Sequence, residues 1–430
     1  SRGLGDVYKR QVDMRVRGRA QFELANRGRE MTGPLAAVAL QSDPLLARLH
    51  AIWALGMIAS EDAAALEPVV SLLADQDPEV RGQAAKVLGE NRYQASAEKL
   101  VALLGDENRR VRSFASFALG RLRHRPAMVP ILEMLRENDD QDIFLRHAGV
   151  FALFNIGDAD EVARFSDDVD RSVRLAVLLT LRRFGDARIA KFLSDSEDSL
   201  VTEAARAIYD LPIELAMSDL AKTISRGGDN SPLLRRAINA NLRLGQPENA
   251  QALSEFVATA DSPEAMKTEA VRALGDWVSP PPRDRVLGFV RPLAQRSPDT
   301  VATVIAPWIV STLESPDARL QQELMLAAAQ LKIAVGDVSW ITDTRRDVEV
   351  RTQLLDMMAQ RNDAQLDRAV DAALESGEPL LRVHAASGLA RSDPPRAMEA
   401  LSQILVDGTI AEKQFAFTAL GTIPSPQADV

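Results

Sequence analysis

The sequence predicts an all-α fold in which helical hairpins stack into an α-solenoid (an α-α superhelix) of roughly a dozen repeats. The first supporting observation is a helical signature that recurs about every 28 to 34 residues along the chain. The second is the composition: 46% of the 430 residues are hydrophobic but only 5% are aromatic, so small aliphatic side chains must form the core, as between closely packed helices. The third is that no linker rich in glycine, serine or proline divides the chain into independent domains.

The clearest copy of the signature runs from Asp77 to Gly89. Asp77 can cap the N-terminus of a helix, Pro78 suits the first helical turn, and Gly89 can end the helix. Helical spacing places three apolar residues on one face of this helix, namely Val80, Ala84 and Leu88. Each copy of the signature is therefore predicted to be the second helix of a hairpin.

Further copies of the signature predict the remaining second helices. Clear copies occupy residues 43–56, 106–120 and 171–185, and weaker copies occupy residues 145–148, 234–245, 350–354, 381–385 and 412–421. The apolar stretches between copies, at 66–73, 97–104 and 128–135, are interpreted as first helices. This sequence pattern resembles the HEAT repeat, a helix pair that buries its apolar face only by stacking on neighbouring pairs.

An arginine that follows the Val or Leu of the signature is the polar position that repeats most often. We expect these arginines to form a structural ladder, in which each guanidinium binds an aspartate or a loop carbonyl of an adjacent repeat. Anion binding is the alternative, and it requires the arginines to face solvent unpaired. The predicted ladder residues are Arg48, Arg81, Arg112, Arg146, Arg174, Arg235, Arg351 and Arg382, with Asp43 and Asp77.

Three histidines stand close after a recurrent arginine, namely His50, His147 and His384, and are predicted to be buried or to line a groove. The deoxyhypusine hydroxylases, which are HEAT-repeat enzymes, bind a di-iron centre through paired His-Glu steps. No His-Glu pair occurs here, and the histidine copies lie far apart along the predicted stack. We therefore expect no metal site.

Composition excludes several kinds of chemistry. The chain contains no cysteine, which excludes disulfides, thiolate nucleophiles, Cys-ligated zinc and c-type haem attachment. It has no glycine-rich phosphate loop and no nucleophile elbow. A net charge of −10 opposes binding to nucleic acid or to anionic lipid, and no apolar run reaches the length of a membrane helix. The sequence predicts no catalytic residue, no metal, no cofactor and no membrane insertion, and it predicts protein partners.

The repeat pattern also predicts how the chain is organised. Residues 1–11 do not join the pattern and are interpreted as a non-native leader. HEAT-type repeats occupy 12–278 and 316–424, separated at 279–315 by an irregular proline-containing connection and a helix, because successive prolines cannot continue a helix. Residues 425–430 are interpreted as a truncated end, since solenoids carry capping helices.

Beyond the generic repeat, three longer stretches resemble one specific family. They are residues 136–150, residues 233–245 and the run from 269–277 into 280–292. Together they resemble the HEAT region of large exported bacterial proteins described as membrane-bound dehydrogenases or planctomycete-type haem-binding proteins, and the resemblance spans most of residues 12–424. In that family a dehydrogenase-like β-propeller precedes the solenoid, and a cytochrome c domain with a CxxCH haem site follows it.

The resemblance implies that this chain is the middle part of an exported dehydrogenase–cytochrome c protein, in a periplasmic or extracytoplasmic setting, with haem c only in the C-terminal part of the parent protein. No dehydrogenase or haem residue is carried over, because no position here matches one. We therefore expect a non-enzymatic scaffold. The alternatives are a HEAT enzyme similar to the phycobilin lyases, which share the repeat grammar, and a free-standing adaptor that binds a partner protein in its concave groove.

Overall fold

The structure, a computed structural model, describes residues 14–226, 228–259, 261–313, 317–361, 363–421 and 423. Within these residues the regular structure is helical, and the β-type pairing consists of a single bridge between Arg283 and Val290. The chain divides into two compact units, Ser1–Ala216 and Met217–Val430, with the division earlier in the sequence than the proline-containing connection. The predicted leader, 1–11, and the predicted truncated end, 425–430, lie outside the described residues.

The N-terminal unit consists of a first helix, α1, followed by hairpins. Its short first helices often extend into 3₁₀ turns, whereas its second helices are longer, and each second helix packs against the second helix of the next hairpin. The last hairpin uses the 3₁₀ helix Ala187–Ser194 as its first arm. The α-helices of this unit are α1 (Met14–Asn26), α2 (Thr32–Gln41), α3 (Leu45–Ile58), α4 (Glu67–Ser71), α5 (Pro78–Glu90), α6 (Ala97–Ala102), α7 (Arg109–Leu122), α8 (Met128–Asn138), α9 (Ile143–Ile156), α10 (Ala159–Ala163), α11 (Arg171–Phe184) and α12 (Asp198–Asp210).

The C-terminal unit repeats this arrangement with successive hairpins. Its helices are α13 (Met217–Lys222), α14 (Ser231–Leu244), α15 (Pro247–Ala258), α16 (Glu264–Gly275), α17 (Ala306–Thr312), α18 (Ala318–Gln330), α19 (Val338–Thr342), α20 (Val348–Gln360), α21 (Leu366–Leu374), α22 (Pro379–Ser392), α23 (Pro394–Asp407) and α24 (Ile410–Leu420). Residues 276–298 contain no helix and connect α16 to the π-helical segment Val301–Ile305, which continues into α17. The all-α solenoid prediction is confirmed by this succession of hairpins.

Side-chain caps fix where most second helices of the N-terminal unit begin. Asp77 accepts the N–H of Glu79 at 2.7 Å, and Asn108 and Asp170 make equivalent bonds for α7 and α11. The α3 helix differs, because Pro44 occupies its N-cap position and no side chain caps it. Asp43 is exposed and lies outside the helix, so the expected equivalence of Asp43 and Asp77 is corrected.

The glycine of the signature ends the helix in some copies only: Gly185 and Gly245 adopt the left-handed conformation and cap the C-termini of α11 and α14. In three other copies the glycine does not end the helix. Gly56, Gly89 and Gly120 lie inside α3, α5 and α7, and the helix α5 continues past Gly89 to Glu90. A Cβ atom on Gly89 would lie 2.5 Å from the Cα of Ala118 on the next second helix. Gly89 therefore permits close approach of successive second helices, which corrects the expectation that this glycine is a C-cap.

Candidate functional site

Arg81 connects two successive hairpins of the N-terminal unit. Its Nε and Nη2 donate to the two carboxylate oxygens of Asp106, at 2.7 and 2.9 Å, in a bidentate pair. Its Nη1 donates to the backbone carbonyls of Asp75 and Gln76 in its own loop. Because only 10% of the Arg81 side chain and 6% of the Asp106 side chain are exposed, this guanidinium faces the protein and not a solvent ligand.

Two more arginines form the same kind of pair between successive hairpins. Arg174 donates to both carboxylate oxygens of Asp195, at 2.8 and 3.0 Å, and to the carbonyl of Asp168 at 3.0 Å. Arg48 pairs with the carboxylate of Asp75 and donates to the carbonyl of Ala39. In each case the arginine belongs to one hairpin and the carboxylate to the next. We call such a pair a rung.

The aspartates of the rungs differ from those predicted. Asp75, Asp106 and Asp195 lie in the loop before a second helix, and each also accepts the N–H of the residue two positions later at 2.9 Å. Asp77 instead caps α5, and the structure places no rung at Asp43. The signal that sequence reasoning missed is an aspartate six residues before a recurrent arginine, as in Asp75 and Arg81.

The series of rungs is interrupted at the loop between α8 and α9. Here Asp139 and Asp140 both adopt the left-handed conformation, with φ of 44° and 56°, and Asn138 bonds to the backbone of Asp142. Asp140 consequently pairs with Arg146 of its own hairpin. Arg112, whose rung Asp140 would otherwise complete, has a buried Nε with no hydrogen-bond partner within the described residues.

The C-terminal unit uses glutamates in place of aspartates. Arg382 donates to the carbonyl of Ser376 and to Oε1 of Glu412, both at 2.6 Å. Arg351 is 3% exposed, donates to the carbonyl of Ile341, and lies 3.7 Å from a carboxylate oxygen of Glu378. Arg235 is exposed and forms no ion pair with a carboxylate in the part of the chain that the structure describes.

The three predicted histidines have different environments. His50 is buried, its Nδ1 lies 2.8 Å from Oε1 of Gln21, and its ring packs edge-on against Trp53. Burial lowers the pKa of His50, and the nearby Arg17 lowers it further. His384 is half-buried, and its hydrogen bond with Asp356 raises its pKa.

His147 does not share the register of the other two. It follows Arg146 directly, whereas His50 and His384 are the second residues after Arg48 and Arg382. One residue of helix rotates a side chain by about 100°, so His147 is exposed and its ring lies 6.0 Å from that of Phe117. The expectation of similar positions is corrected for this residue.

A second polar cluster lies inside the proline-containing segment 276–298. The side chain of Asp284 has no exposed surface, and its Oδ1 accepts the N–H groups of Val286 and Leu287, both at 2.9 Å. Its Oδ2 lies 3.3 Å from Arg291 and 3.6 Å from Arg243 of α14. The segment therefore contains a folded turn fixed by a buried carboxylate, within the connection that was predicted to be irregular.

Breaking one rung should destabilise the chain. We expect Asp106→Ala to lower the free energy of unfolding by about 2–4 kcal/mol, because it leaves the largely buried Arg81 without its carboxylate. Urea unfolding followed by circular dichroism measures the loss. The matched control is Glu107→Ala, whose side chain is 91% exposed and should change stability by less than about 0.5 kcal/mol. Equal effects of the two substitutions would contradict a structural role for the rung.

The rung carboxylates should also make stability depend on acid pH. Burial alone would raise the pKa of Asp75, Asp106 and Asp195, but hydrogen bonds from arginine and from backbone N–H groups outweigh it and hold each pKa below the ordinary 3.8. A carboxyl group of this kind stabilises the fold fully above its unfolded pKa of about 3.9, and that contribution is lost as pH falls through the folded value.

We therefore expect the urea midpoint to fall steeply below about pH 4. Asp106→Asn should reduce that steepness, because one of the titrating carboxyl groups is then absent. Urea titrations of both proteins between about pH 6 and pH 3 measure the difference. An identical pH dependence in the variant and the parent chain would show that the Arg81–Asp106 pair is not coupled to folding.

Within the described residues, no group of three or more His, Asp or Glu side chains is arranged to hold a metal ion. In the same residues, no helix combines the length and the apolar character that crossing a bilayer requires.

Half-buried aromatic rings lie at the surface of three second helices, α7, α9 and α11. The ring of Phe117 on α7 lies 5.2 Å from that of Phe151 on α9, and the ring of Phe154 on α9 lies 4.8 Å from that of Phe184 on α11. Phe144, at the start of α9, is 75% exposed. These residues are not among the predicted site residues, although Phe117 and Phe151 hold the same position, five residues after Arg112 and Arg146.

Comparison with known protein families identifies the repeat in part of this chain. A family model described as HEAT repeats matches residues 66–153, from the first arm of the second hairpin into α9. No curated protein sequence matches the chain.

Among solved structures, the chain is similar to the CpcE–CpcF complex of phycocyanin lyase from Nostoc sp. PCC7120, with a TM-score of 0.30 and 22% identity over 57% of this chain and 87% of that chain. It is similar to an engineered protein, with a TM-score of 0.26 and 19% identity over 98% of each chain. It is also similar to importin β, with a TM-score of 0.41 and 13% identity over 97% of this chain and 59% of that chain. The repeat match shows HEAT repeats at residues 66–153, and the succession of hairpins in each unit shows an all-α solenoid fold.

Proposed function

We propose that this chain is a non-enzymatic scaffold that binds a partner protein on the solvent-exposed surface of its second helices. The proposal rests on one observation: the recurrent arginines are paired within the stack, whereas aromatic side chains remain at its surface. Arg48, Arg81 and Arg174 are engaged in rungs between hairpins, so they support the stack. Aromatic side chains such as Phe117 and Phe144 remain at the surface of the second helices, where aromatic residues commonly anchor protein interfaces.

Selection from a displayed library of random peptides tests this proposal. Peptides enriched on the full chain should slow amide hydrogen exchange in second helices such as α7, α9 and α11, and leave first helices such as α6 and α8 unchanged. Protection confined to first helices, or failure to enrich any peptide, would overturn the proposed surface. A displayed library supplies many sequences, so the test does not depend on guessing the partner.

The proposal has a finer form, in which the scaffold holds a propeller and a cytochrome c domain within one exported polypeptide. It rests on the resemblance of residues 136–150, 233–245 and 269–292 to the dehydrogenase-associated family. Haem c would then belong to the C-terminal part of the parent protein, and the setting would be periplasmic or extracytoplasmic. The sequence of the genomic flanks tests it. An upstream propeller and a downstream CxxCH motif are expected, and flanks that encode neither would remove this context.

A covalent assay tests the non-enzymatic assignment. When the purified chain is incubated with a bilin and an apo-phycobiliprotein, we expect no covalent adduct. Formation of an adduct that depends on the chain would replace the scaffold proposal with the phycobilin-lyase alternative.

A further inference from the structure

The three helices that carry the aromatic rings also have an unusual charge. The sequences of α7, α9 and α11 contain four, one and four arginines, respectively, and no aspartate or glutamate. The whole chain, in contrast, has a net charge of −10. These three helices are therefore positively charged within an acidic protein.

Some of these arginines are neutralised by neighbouring carboxylates. Ion pairs engage Arg110 with Glu79, Arg146 and Arg171 with Asp140, Arg174 with Asp195, and Arg182 with Glu203. Arg121 and Arg183, by contrast, have no carboxylate partner among the described residues. These two occupy the same position, nine residues after Arg112 and Arg174, near the C-terminal ends of α7 and α11. Their charge is available to a ligand.

The available charge lies beside the aromatic rings. The guanidinium of Arg183 lies over the ring of Phe154, 5.0 Å from its centroid, and Arg121 is one helical turn beyond Phe117. We define the α7–α9 aromatic patch as the residues on this surface whose rings are exposed or half-buried: Phe114, Phe117, Phe144, His147, Phe151 and Phe154. Ring contacts between Phe117 and both His147 and Phe151 make the patch continuous from α7 to α9.

We propose that the α7–α9 aromatic patch, with Arg121 and Arg183 at its edge, binds an acidic segment of a partner protein that carries aromatic or aliphatic side chains. The inference rests on the proposed protein-binding function and names its surface and the chemistry of its partner. Half-buried rings offer apolar contact area, and an arginine forms its strongest hydrogen bonds with a carboxylate. Apolar anchors within a charged rim are the usual anatomy of a protein interface.

Charge complementarity favours an acidic peptide over a nucleic acid, which also combines anions with stacking rings. The field of a chain with a net charge of −10 opposes the approach of a long polyanion, whereas a short acidic segment meets mainly the local basic surface. The rings of Phe117 and Phe151 contact each other edge to face, so neither ring is fully free to stack on a base.

Fluorescence anisotropy with the full chain tests the inference. The probe is a short labelled peptide that alternates Glu with Phe and Leu. Comparison ligands are the same peptide with Gln replacing Glu, the same peptide with Lys replacing Glu, and labelled single-stranded oligothymidine. We expect the acidic peptide to bind at least about tenfold more tightly than the Gln peptide, with affinity that falls as salt concentration rises. The Lys peptide and the oligonucleotide should bind more weakly than the acidic peptide.

Variants locate the binding site. Arg121→Glu and Arg183→Glu together should weaken binding of the acidic peptide about tenfold or more, and Phe144→Ala should weaken it by several fold. Arg164→Glu is the matched control, because Arg164 is an exposed arginine of the same unit that follows the first helix α10. It carries the same change of charge as either edge substitution alone and should leave binding within about twofold. Circular dichroism of each variant verifies that the fold is retained.

The outcomes separate this inference from the proposed function. Equal binding of the acidic and Gln peptides, tighter binding of the oligonucleotide, or equal effects of the edge and control variants would overturn the acidic-segment proposal. If library peptides still protect the second helices in that case, the scaffold function stands without this partner class. If no library peptide binds, the scaffold function itself fails.

Discussion

Replacing Asp284 with alanine is expected to lower the free energy of unfolding by about 3–5 kcal/mol. The carboxylate has no exposed surface, and its loss leaves Arg243 and Arg291 without their shared anion. It also removes the acceptor for the N–H groups of Val286 and Leu287, which stabilise the turn within residues 276–298. Both losses act on the same segment, so the turn should open before the surrounding helices unfold.

Urea unfolding and amide hydrogen exchange of the full chain measure this effect. In the Asp284→Ala variant, the amides of Val286 and Leu287 should exchange faster than in the parent chain. Asp284→Asn should have a smaller effect, because it retains an acceptor for these N–H groups while removing the charge. The control is Asp299→Ala, an exposed aspartate of the same unit. Unchanged exchange at Val286 and Leu287 in the alanine variant would contradict the role of this carboxylate.

Gly89→Ala is expected to lower the free energy of unfolding by about 1–3 kcal/mol or more. The new Cβ atom would lie 2.5 Å from the Cα and 2.6 Å from the Cβ of Ala118, so a backbone and not a flexible side chain must move. Alanine has a higher helix propensity than glycine by about 1 kcal/mol, and the substitution loses stability in spite of that gain. The crossing of α5 with α7 should therefore be the most sensitive part of the variant.

Two further glycines calibrate this prediction. Gly18→Ala, in α1, places its Cβ in open space and should stabilise the chain by up to about 1 kcal/mol. Gly120→Ala should be intermediate, because its Cβ would lie 2.9 Å from the Cα of Ala152. Urea midpoints of the three variants should therefore follow the order Gly18, Gly120, Gly89 from highest to lowest. A Gly89 variant as stable as the Gly18 variant would show that α5 and α7 do not approach as closely as described.

Much of the fold could be predicted because the second helices carry local signals. Asp77 and Asp170 are caps that act on N–H groups within three residues, and helical periodicity places Val80 and Leu88 in the core, where both have no exposed surface. The first helices are harder to predict. The helix α4 spans only Glu67–Ser71, with a 3₁₀ turn on each side, so its periodicity is short.

Features that depend on tertiary contact could not be predicted in this way. Gly89 appears near the end of the signature, so it suggests a C-cap, and only the approach of Ala118 reveals its role. Asp284 pairs with Arg243, which is distant in the sequence, and successive prolines around it indicate only that a helix must end. Local patterns predict where helices begin, whereas contacts between hairpins determine what their ends and loops do.

The candidate site likewise contains residues that the sequence predicts and residues that it does not. Repetition identified Arg48, Arg81 and Arg174, because the same register in successive hairpins recurs at regular intervals. Their partners were less evident, because the carboxylate that pairs with Arg81 belongs to Asp106 of the next hairpin, whereas the nearby Asp77 caps the helix. The aromatic patch became apparent only when the register of Phe117 and Phe151 was combined with their contact in space.

The central claim is that the recurrent arginines stabilise the stack by pairing with the next hairpin, which leaves the second-helix surface for a partner. A double-mutant cycle with Arg81→Ala, Asp106→Ala and the combined variant tests it most directly. We predict a coupling energy of about 1.5–3 kcal/mol between the two side chains, measured by urea unfolding of the full chain. A coupling energy near zero would contradict the claim, because the two side chains would then contribute to stability independently of each other.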